Sequence, residues 1–442
     1  MSGLGSATRR ASGVASSQAI PEGFRRQLWP PLNVNTFNPV SLFANGEKGA
    51  LYAPANRSTV FTDAAGTLLA MAENAVVARI NDLSPNAINS LRVSATLRPK
   101  LVFLLASYRR ALDFDGVDDS MAGTFPAMGN NCTLVRASPG VGAVIQTGLT
   151  IAAGTVNTTT DHAGLILIDR ALTTQETADV TLWARQRAGV EDEFNLSYGA
   201  GASEKLDVYH SSGHAQGPII FMVHGGGWRN GDKLLSNVIK NKSQNWLPQG
   251  FTLVSVNYNL AVGTSPIDQA RSVAKALAYV QARARGWRCD PSKLILIGHS
   301  AGAHLAALVA SSNTIRSEAG VGTWLGTVLL DTAAYDAVEI MSDTHLPLYD
   351  EPWGSDPEVW AAGSPTLVMT SKPAPLMLVV STEGGGEADS INGAAFKAKV
   401  ESFGGRADWY ETPLLHGEVN DLLGVPGTYT DAVQAFFTSL GL

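Results

Sequence analysis

The sequence predicts an α/β chain in which a mostly parallel sheet fills the C-terminal half and a smaller all-β domain precedes it. Three observations lead there. From about residue 203 to 442, apolar strands alternate with amphipathic helices, the mark of βαβ units. From about 35 to 190, short apolar runs such as Lys100-Leu101-Val102-Phe103-Leu104-Leu105 and Gly164-Leu165-Ile166-Leu167-Ile168 are closely spaced between turn residues, as in a β-sandwich. Between the two lies a change of composition at 190–203, acidic at Glu191-Asp192-Glu193 and Gly-rich at Gly199-Ala200-Gly201-Ala202, where a join fits.

Bulk properties bound the rest. A chain of 442 residues suggests two or three domains. With 45% hydrophobic and only 16% charged residues, disorder is excluded for most of it. A net charge of −7 argues against a nucleic-acid partner and favours an uncharged substrate. Cys132 and Cys289 are far apart and form no metal-ligand or redox spacing. Residues 1–34, rich in Ser, Gly and Arg and then in Pro, read as a mobile arm. Their basic pair, Arg9 and Arg10, is not followed by an apolar run, so no signal peptide is expected. No stretch is long and apolar enough for a membrane span. The expectation is a soluble protein, compatible with a cytoplasmic or a virion-associated place.

The elements follow in order. Thr173 and Glu176 have capping-box spacing and open a helix to about Arg187, with Gly189 as its stop. Pro218–Val223 and Phe251–Asn257 are strands. Ser265 caps a helix with Pro266 in its first turn, and Ala270, Val273, Ala274, Leu277 and Val280 form its apolar stripe. Lys293–Ile297 is a strand, followed by a helix near Ala303. Thr327–Leu330, Leu376–Val380 and Trp409–Thr412 are later strands, and a last helix starts near Thr430.

Two Gly motifs carry chemistry. Gly298-His299-Ser300-Ala301-Gly302 lies between a strand and an apolar helix, the context in which a G-x-S-x-G turn lifts a serine hydroxyl out of the chain. His224-Gly225-Gly226-Gly227-Trp228 follows an earlier strand, and consecutive glycines let N–H groups converge on an oxyanion. The expected donors are Gly226 and Gly227, with Ala301 after the serine. A serine hydroxyl needs a base. His416, in the loop after the last strand, is the best placed, while His224, His299 and His304 suit structural work. The acid that orients the base is less determined. Asp389 is preferred because it follows the strand before His416 and precedes a helix near Ser390. Glu387 and Glu383 compete in the same loop, and Asp331 is an outside candidate whose simpler reading is a cap or loop anchor.

His224-Gly225-Gly226-Gly227-Trp228-Arg229-Asn230-Gly231-Asp232-Lys233 and Gly298-His299-Ser300-Ala301-Gly302-Ala303-His304 together resemble the esterase/lipase branch of the α/β-hydrolases, closest to small-ester carboxylesterases and arylformamidases. The resemblance spans about 203–442. It implies an eight-stranded, mostly parallel sheet, a Ser-His-acid triad, and neither metal nor organic cofactor. No long inserted lid is expected between strands. Leu42-Phe43-Ala44-Asn45-Gly46-Glu47, Leu112-Asp113-Phe114-Asp115-Gly116-Val117-Asp118-Asp119 and Leu167-Ile168-Asp169-Arg170-Ala171-Leu172-Thr173 are similar to concanavalin-like (laminin-G-type) jelly rolls, as in phage tail and virion-associated proteins. The Asp-rich stretch 113–119 fits no EF-hand loop and reads as a turn, so no metal is expected.

Together these readings point to a serine carboxylesterase acting on a small or polysaccharide-linked ester, with short acyl chains favoured. The β domain at 35–190 would serve for carbohydrate or virion attachment, or else cap the active-site cleft. An arylformamidase-like amidase, or a surface-binding protein with a secondary hydrolase half, are the alternatives. The acyl preference, the natural ester and the oligomeric state are not written in the sequence.

Overall fold

The computed structural model of the protein describes residues 37–442 apart from 105–106, 212–215, 261–262 and 384–389. The arm expected at 1–34 lies outside the described residues, as does Asp389.

The N-terminal part is rich in antiparallel sheet. One sheet runs Gly49–Tyr52, Gly164–Ile168, Gly129–Ser138, Gly142–Ile151. A second runs Gly154–Thr158, Met121–Phe125, Ser90–Leu91, Arg79–Ile80, Val60–Phe61. The run Gly164–Ile168 shows why it reads as continuously apolar. Side chains alternate across a strand, and here both faces are buried. Leu165 and Leu167 pack with Tyr52, Ile80 and Phe125 between the sheets. Ile166 and Ile168 face the other way, onto Val180, Trp183 and Ala184 of the helix Thr174–Arg187. That helix starts at the expected capping box. Thr173 Oγ1 accepts the Glu176 N–H at 3.2 Å, and Glu176 returns the bond to the Thr173 N–H at 2.8 Å. In the stretch 113–119, Asp115 Oδ1 accepts the N–H groups of Val117, Asp118 and Asp119, closing a turn.

The C-terminal part is built on an eight-stranded sheet in the order Glu193–Ser197, Lys205–Tyr209, Thr252–Val256, Gly217–Val223, Cys289–His299, Gly326–Leu330, Leu376–Ser381, Ala407–Thr412. Pairings that involve Lys205–Tyr209 are antiparallel and the rest are parallel. The first strand begins inside the stretch at 190–203 that reads as a join. Both faces are covered. Leu294 and Leu296 of the central strand pack toward the helices Pro266–Arg283 and Ala301–Ser311. Ile295 and Ile297 pack toward Ser236–Trp246 and Thr428–Ser439.

One expectation is corrected. Between Leu330 and Leu376 the chain carries four short helices, Ala337–Met341, Asp350–Trp353, Pro357–Ala362 and Pro365–Val368. An insertion of this kind leaves little trace in hydrophobic periodicity, because helices of four to six residues are too short to repeat an apolar stripe.

The two parts touch along the helix Ser236–Trp246. Gln244 donates to Tyr108 O at 3.0 Å and accepts from Arg57 at 2.9 Å. Arg57 also reaches Gly424 O and Asn241 O. Arg109 and Asp192 form a buried ion pair at 2.6 Å.

Candidate active site

The central strand Cys289–His299 ends in a turn that no ordinary residue makes cheaply. Ser300 has φ 54° and ψ −125°, and the helix Ala301–Ser311 starts directly after it. A β-carbon makes this backbone region costly, so its use here is stored strain of the kind functional turns carry. The flanking glycines make the turn possible. A Cβ on Gly302 would lie 2.3 Å from His224 O and 2.4 Å from Val223 O, and one on Gly298 2.2 Å from Gly302 O. Ser300 N–H donates to Leu330 O at 2.9 Å, which ties the turn to the neighbouring strand.

The HGGG loop abuts this turn. A Cβ on Gly225 would come within 2.9 Å of Ser300 Cβ. Gly226 and Gly227 have φ of 124° and 59°. No backbone acceptor among the described residues takes their N–H groups. Ala301 is the first residue of its helix, where an N–H has no intrahelical acceptor. The three predicted donors therefore belong to two adjacent turns beside Ser300.

His416 opens the short helix His416–Asp421 after the last strand. Its Nδ1 donates to Asp331 Oδ2 at 2.6 Å, and the carboxylate is fully buried. Asp331 Oδ1 accepts the Ser381 N–H at 3.0 Å. The acid meeting the histidine is thus Asp331, at the end of Gly326–Leu330, one strand earlier than the preferred Asp389. The register explains it. His299 pairs with Leu330, so the residue after Leu330 emerges beside the serine turn. The left-handed φ of 49° at Asp331, tolerable for Asp, aims its carboxylate across the strand ends. With Nδ1 donating, the neutral ring presents Nε2 as its basic nitrogen.

The other histidines have structural partners. His299 Nε2 donates to His416 O at 2.9 Å, and burial pushes its pKa down to about 3. His304 accepts from Trp228 Nε1 at 3.1 Å and donates to Gly363 O at 2.8 Å, and burial lowers it to about 4. His224 stacks on Tyr258 at 4.5 Å and donates to Gly225 O, and burial again favours its neutral form. Trp228 is itself buried, with its ring 5.3 Å from Tyr349 and 5.6 Å from Trp353 of the inserted helices. The sequence reading missed the Ser381 N–H and the His299 bond. Neither motif signals them.

The BD-FAE family model matches residues 206–339. That stretch holds the HGGG loop, the serine turn and Asp331. A kynurenine formamidase of Salmo salar is 29% identical over 187 residues, 42% of this chain and 59% of that protein. Esterase LipQ of Mycobacterium tuberculosis is 27% identical over 240 residues, 50% of this chain and 56% of that protein. The chain spans less than two thirds of the length of these curated relatives. Among solved structures, a truncated carbohydrate esterase from gut microbiota is similar with a TM-score of 0.46 and 18% identity, over 56% of this chain and 95% of that one. The sheet order, with the serine on a strand–turn–helix elbow, gives the C-terminal part the α/β-hydrolase fold.

Asp115, Asp118 and Asp119 bring carboxylate oxygens within 4.8 Å of one another, the one His/Cys/Asp/Glu group with metal-binding spacing among the described residues. They are largely exposed and far in sequence from the serine turn. No helix among the described residues is long and apolar enough to cross a membrane.

Proposed function

We propose that the protein is a serine carboxylesterase whose triad is Ser300, His416 and Asp331. The observation that carries this is the 2.6 Å bond from His416 Nδ1 to a fully buried carboxylate beside a strained serine turn. In this reading Ser300 Oγ attacks the acyl carbon while His416 Nε2 takes its proton. The N–H groups of Gly226, Gly227 and Ala301 stabilise the oxyanion. His416 then protonates the departing alcohol, and water releases the acyl group by the same steps in reverse. Asp331 holds the ring in the required tautomer and offsets the charge of the imidazolium.

Short acyl chains are the favoured substrates, because Trp228, Tyr349 and Trp353 fill space next to the oxyanion loop. The β half is proposed to attach the enzyme to a carbohydrate or virion surface. That idea rests on the jelly-roll resemblance alone, and retention of the full chain on immobilised polysaccharides would test it.

The deciding experiment compares Ser300→Ala, Asp331→Asn and Asp389→Ala on an aryl acetate. Ser300→Ala abolishes turnover with the fold intact. Asp331→Asn lowers kcat by about 10³–10⁴, and Asp389→Ala leaves it near wild type. The opposite ranking of the two aspartates would return the acid to Asp389. The likeness to a kynurenine formamidase favours a second reading, an amidase acting on aryl formamides. A kcat/KM for an aryl formamide above that for the matching aryl acetate would establish it.

A further inference from the structure

The helix that presents His416 has six residues, too few to hold a direction by themselves. Its orientation is set by the groups that grip it from outside. At its first residue, His416 O accepts the His299 ring N–H at 2.9 Å. At its last, Asp421 O accepts from Asn241 Nδ2 at 2.6 Å. Between them, Asn420 is 1% exposed and meets an ammonium group that is buried to the same degree, that of Lys242. Lys242 Nζ donates to Asn420 O at 2.7 Å and to Asn420 Oδ1 at 2.9 Å. Its third bond goes to Asn237 O, in its own helix, at 3.1 Å.

Among the described residues no carboxylate is bonded to this ammonium. Burial pulls it down to about 7, and the charge of Asp421 only partly offsets that. A buried cation held by neutral oxygens is costly, and an apolar side chain of similar length would fill the space at less cost. What such a side chain would not supply is direction. An ammonium has three N–H groups, and here three oxygens take them. Two of those oxygens belong to Asn420, one on its backbone and one on its side chain, so the residue is fixed in both position and rotation. Residues four apart lie on one helix face, so what fixes Asn420 also fixes the direction in which His416 leaves the helix.

We propose that Lys242 is a positioning residue for the general base: its ammonium clamps the helix His416–Asp421 to Ser236–Trp246 and so keeps His416 Nε2 aligned with Ser300 Oγ. It acts through Asn420 and not on the substrate. The role rests on the reading of Ser300, His416 and Asp331 as the triad.

The test measures kcat, KM and Tm of full-length variants on an aryl acetate. Lys242→Met lowers kcat by about 10–100-fold, the scale of a displacement of 1 Å at the reacting groups, and leaves KM within about threefold. Asn420→Leu behaves alike, whereas Asn420→Asp keeps an acceptor for the ammonium and stays within about threefold of wild type in kcat. The double variant Lys242→Met/Asn420→Leu separates positioning from folding. With both partners gone no buried side chain is left unpaired, so it regains most of the Tm lost in Lys242→Met, while kcat stays low. This comparison also decides the matter if Lys242→Met alone folds poorly. Recovery of kcat along with Tm in the double variant, an undiminished kcat in Lys242→Met, or equal losses in Asn420→Asp and Asn420→Leu would each overturn the clamp and leave the triad standing. Activity that survives His416→Ala, assayed beside them, would instead overturn the triad reading and the clamp with it.

Discussion

At the scale of single residues, the candidate site works by assigning every hydrogen-bonding nitrogen of its histidines a different task. His416 gives Nδ1 to Asp331, while His304 gives one nitrogen to Gly363 O and takes a bond from Trp228 on the other. His416→Ala is therefore expected to lose several orders of magnitude in kcat. His304→Ala should keep most of the activity but lose about 1–3 kcal/mol of stability, since it strands the Trp228 N–H in the core. Urea unfolding alongside ester hydrolysis separates the two effects; a larger loss of kcat in His304→Ala than in His416→Ala would reassign the base. The buried neutral histidines also set a pH dependence. His162 and His299 titrate at about 3 and His304 at about 4, all below the unfolded value near 6.5. The unfolded chain binds the extra protons, so their contribution is complete above about pH 6.5 and declines as pH falls toward 4. Each should cost about 2 kcal/mol at pH 5 relative to pH 7.5. A denaturation midpoint that is flat from pH 7.5 to 5 would contradict this.

At the scale of elements, the serine turn depends on how closely a helix can approach a strand end. Gly302 lets the helix Ala301–Ser311 rest on the carbonyls of Val223 and His224, with no room for a methyl group. Gly302→Ala should push the helix off, shift Ser300 and its neighbouring N–H donors, and lower kcat at least about a hundredfold. A displacement of 1 Å at the reacting groups is enough for that. The stability cost should be about 1–3 kcal/mol, the range for an overpacked core. Retention of full activity would mean that the turn tolerates a looser helix than the 2.3 Å approach implies. Similar logic explains the inserted helices, which bury Trp228 and, at Gly363 O just past one of them, accept a hydrogen bond from the His304 ring N–H. They brace the HGGG loop through Trp228 from outside the sheet.

At the scale of the molecule, composition suggests two halves that separate near residue 195, whereas the contacts join them. Arg57 of the β half grips Gly424, just beyond the helix that presents His416. Lys242, pulled by burial to about 7, donates to Asn420 O at 2.7 Å on that same helix. Removing residues 1–190 should expose the buried side of Ser236–Trp246 and loosen the His416 loop. A chain starting near 195 is expected to have a lower Tm and at least a tenfold lower kcat/KM on a small aryl ester. Arg57→Met should move both in the same direction by a smaller amount. If the shortened chain is as stable and active as the whole, the β half is only an appendage.

Features carried by neighbouring residues were readable in the chain itself. The Thr173–Glu176 capping box, the stripe on Pro266–Arg283 and the strand–Gly–Ser–Gly–helix turn depend on spacings of two to four residues, which local geometry dictates. The apolar run 164–168 likewise announced a short strand, while the burial of both its faces was shown by the structure. What tertiary structure decided was every pairing across distance. Asp331 and His416 are 85 residues apart, and several carboxylates satisfied the same order along the chain. Only the parallel register of Cys289–His299 with Gly326–Leu330 puts one of them at the serine turn. The helices inserted after Leu330, the buried arginines between the halves and the partners of His299 and His304 were hidden for the same reason. Each is a contact selected by packing, and packing leaves no periodic mark in a sequence.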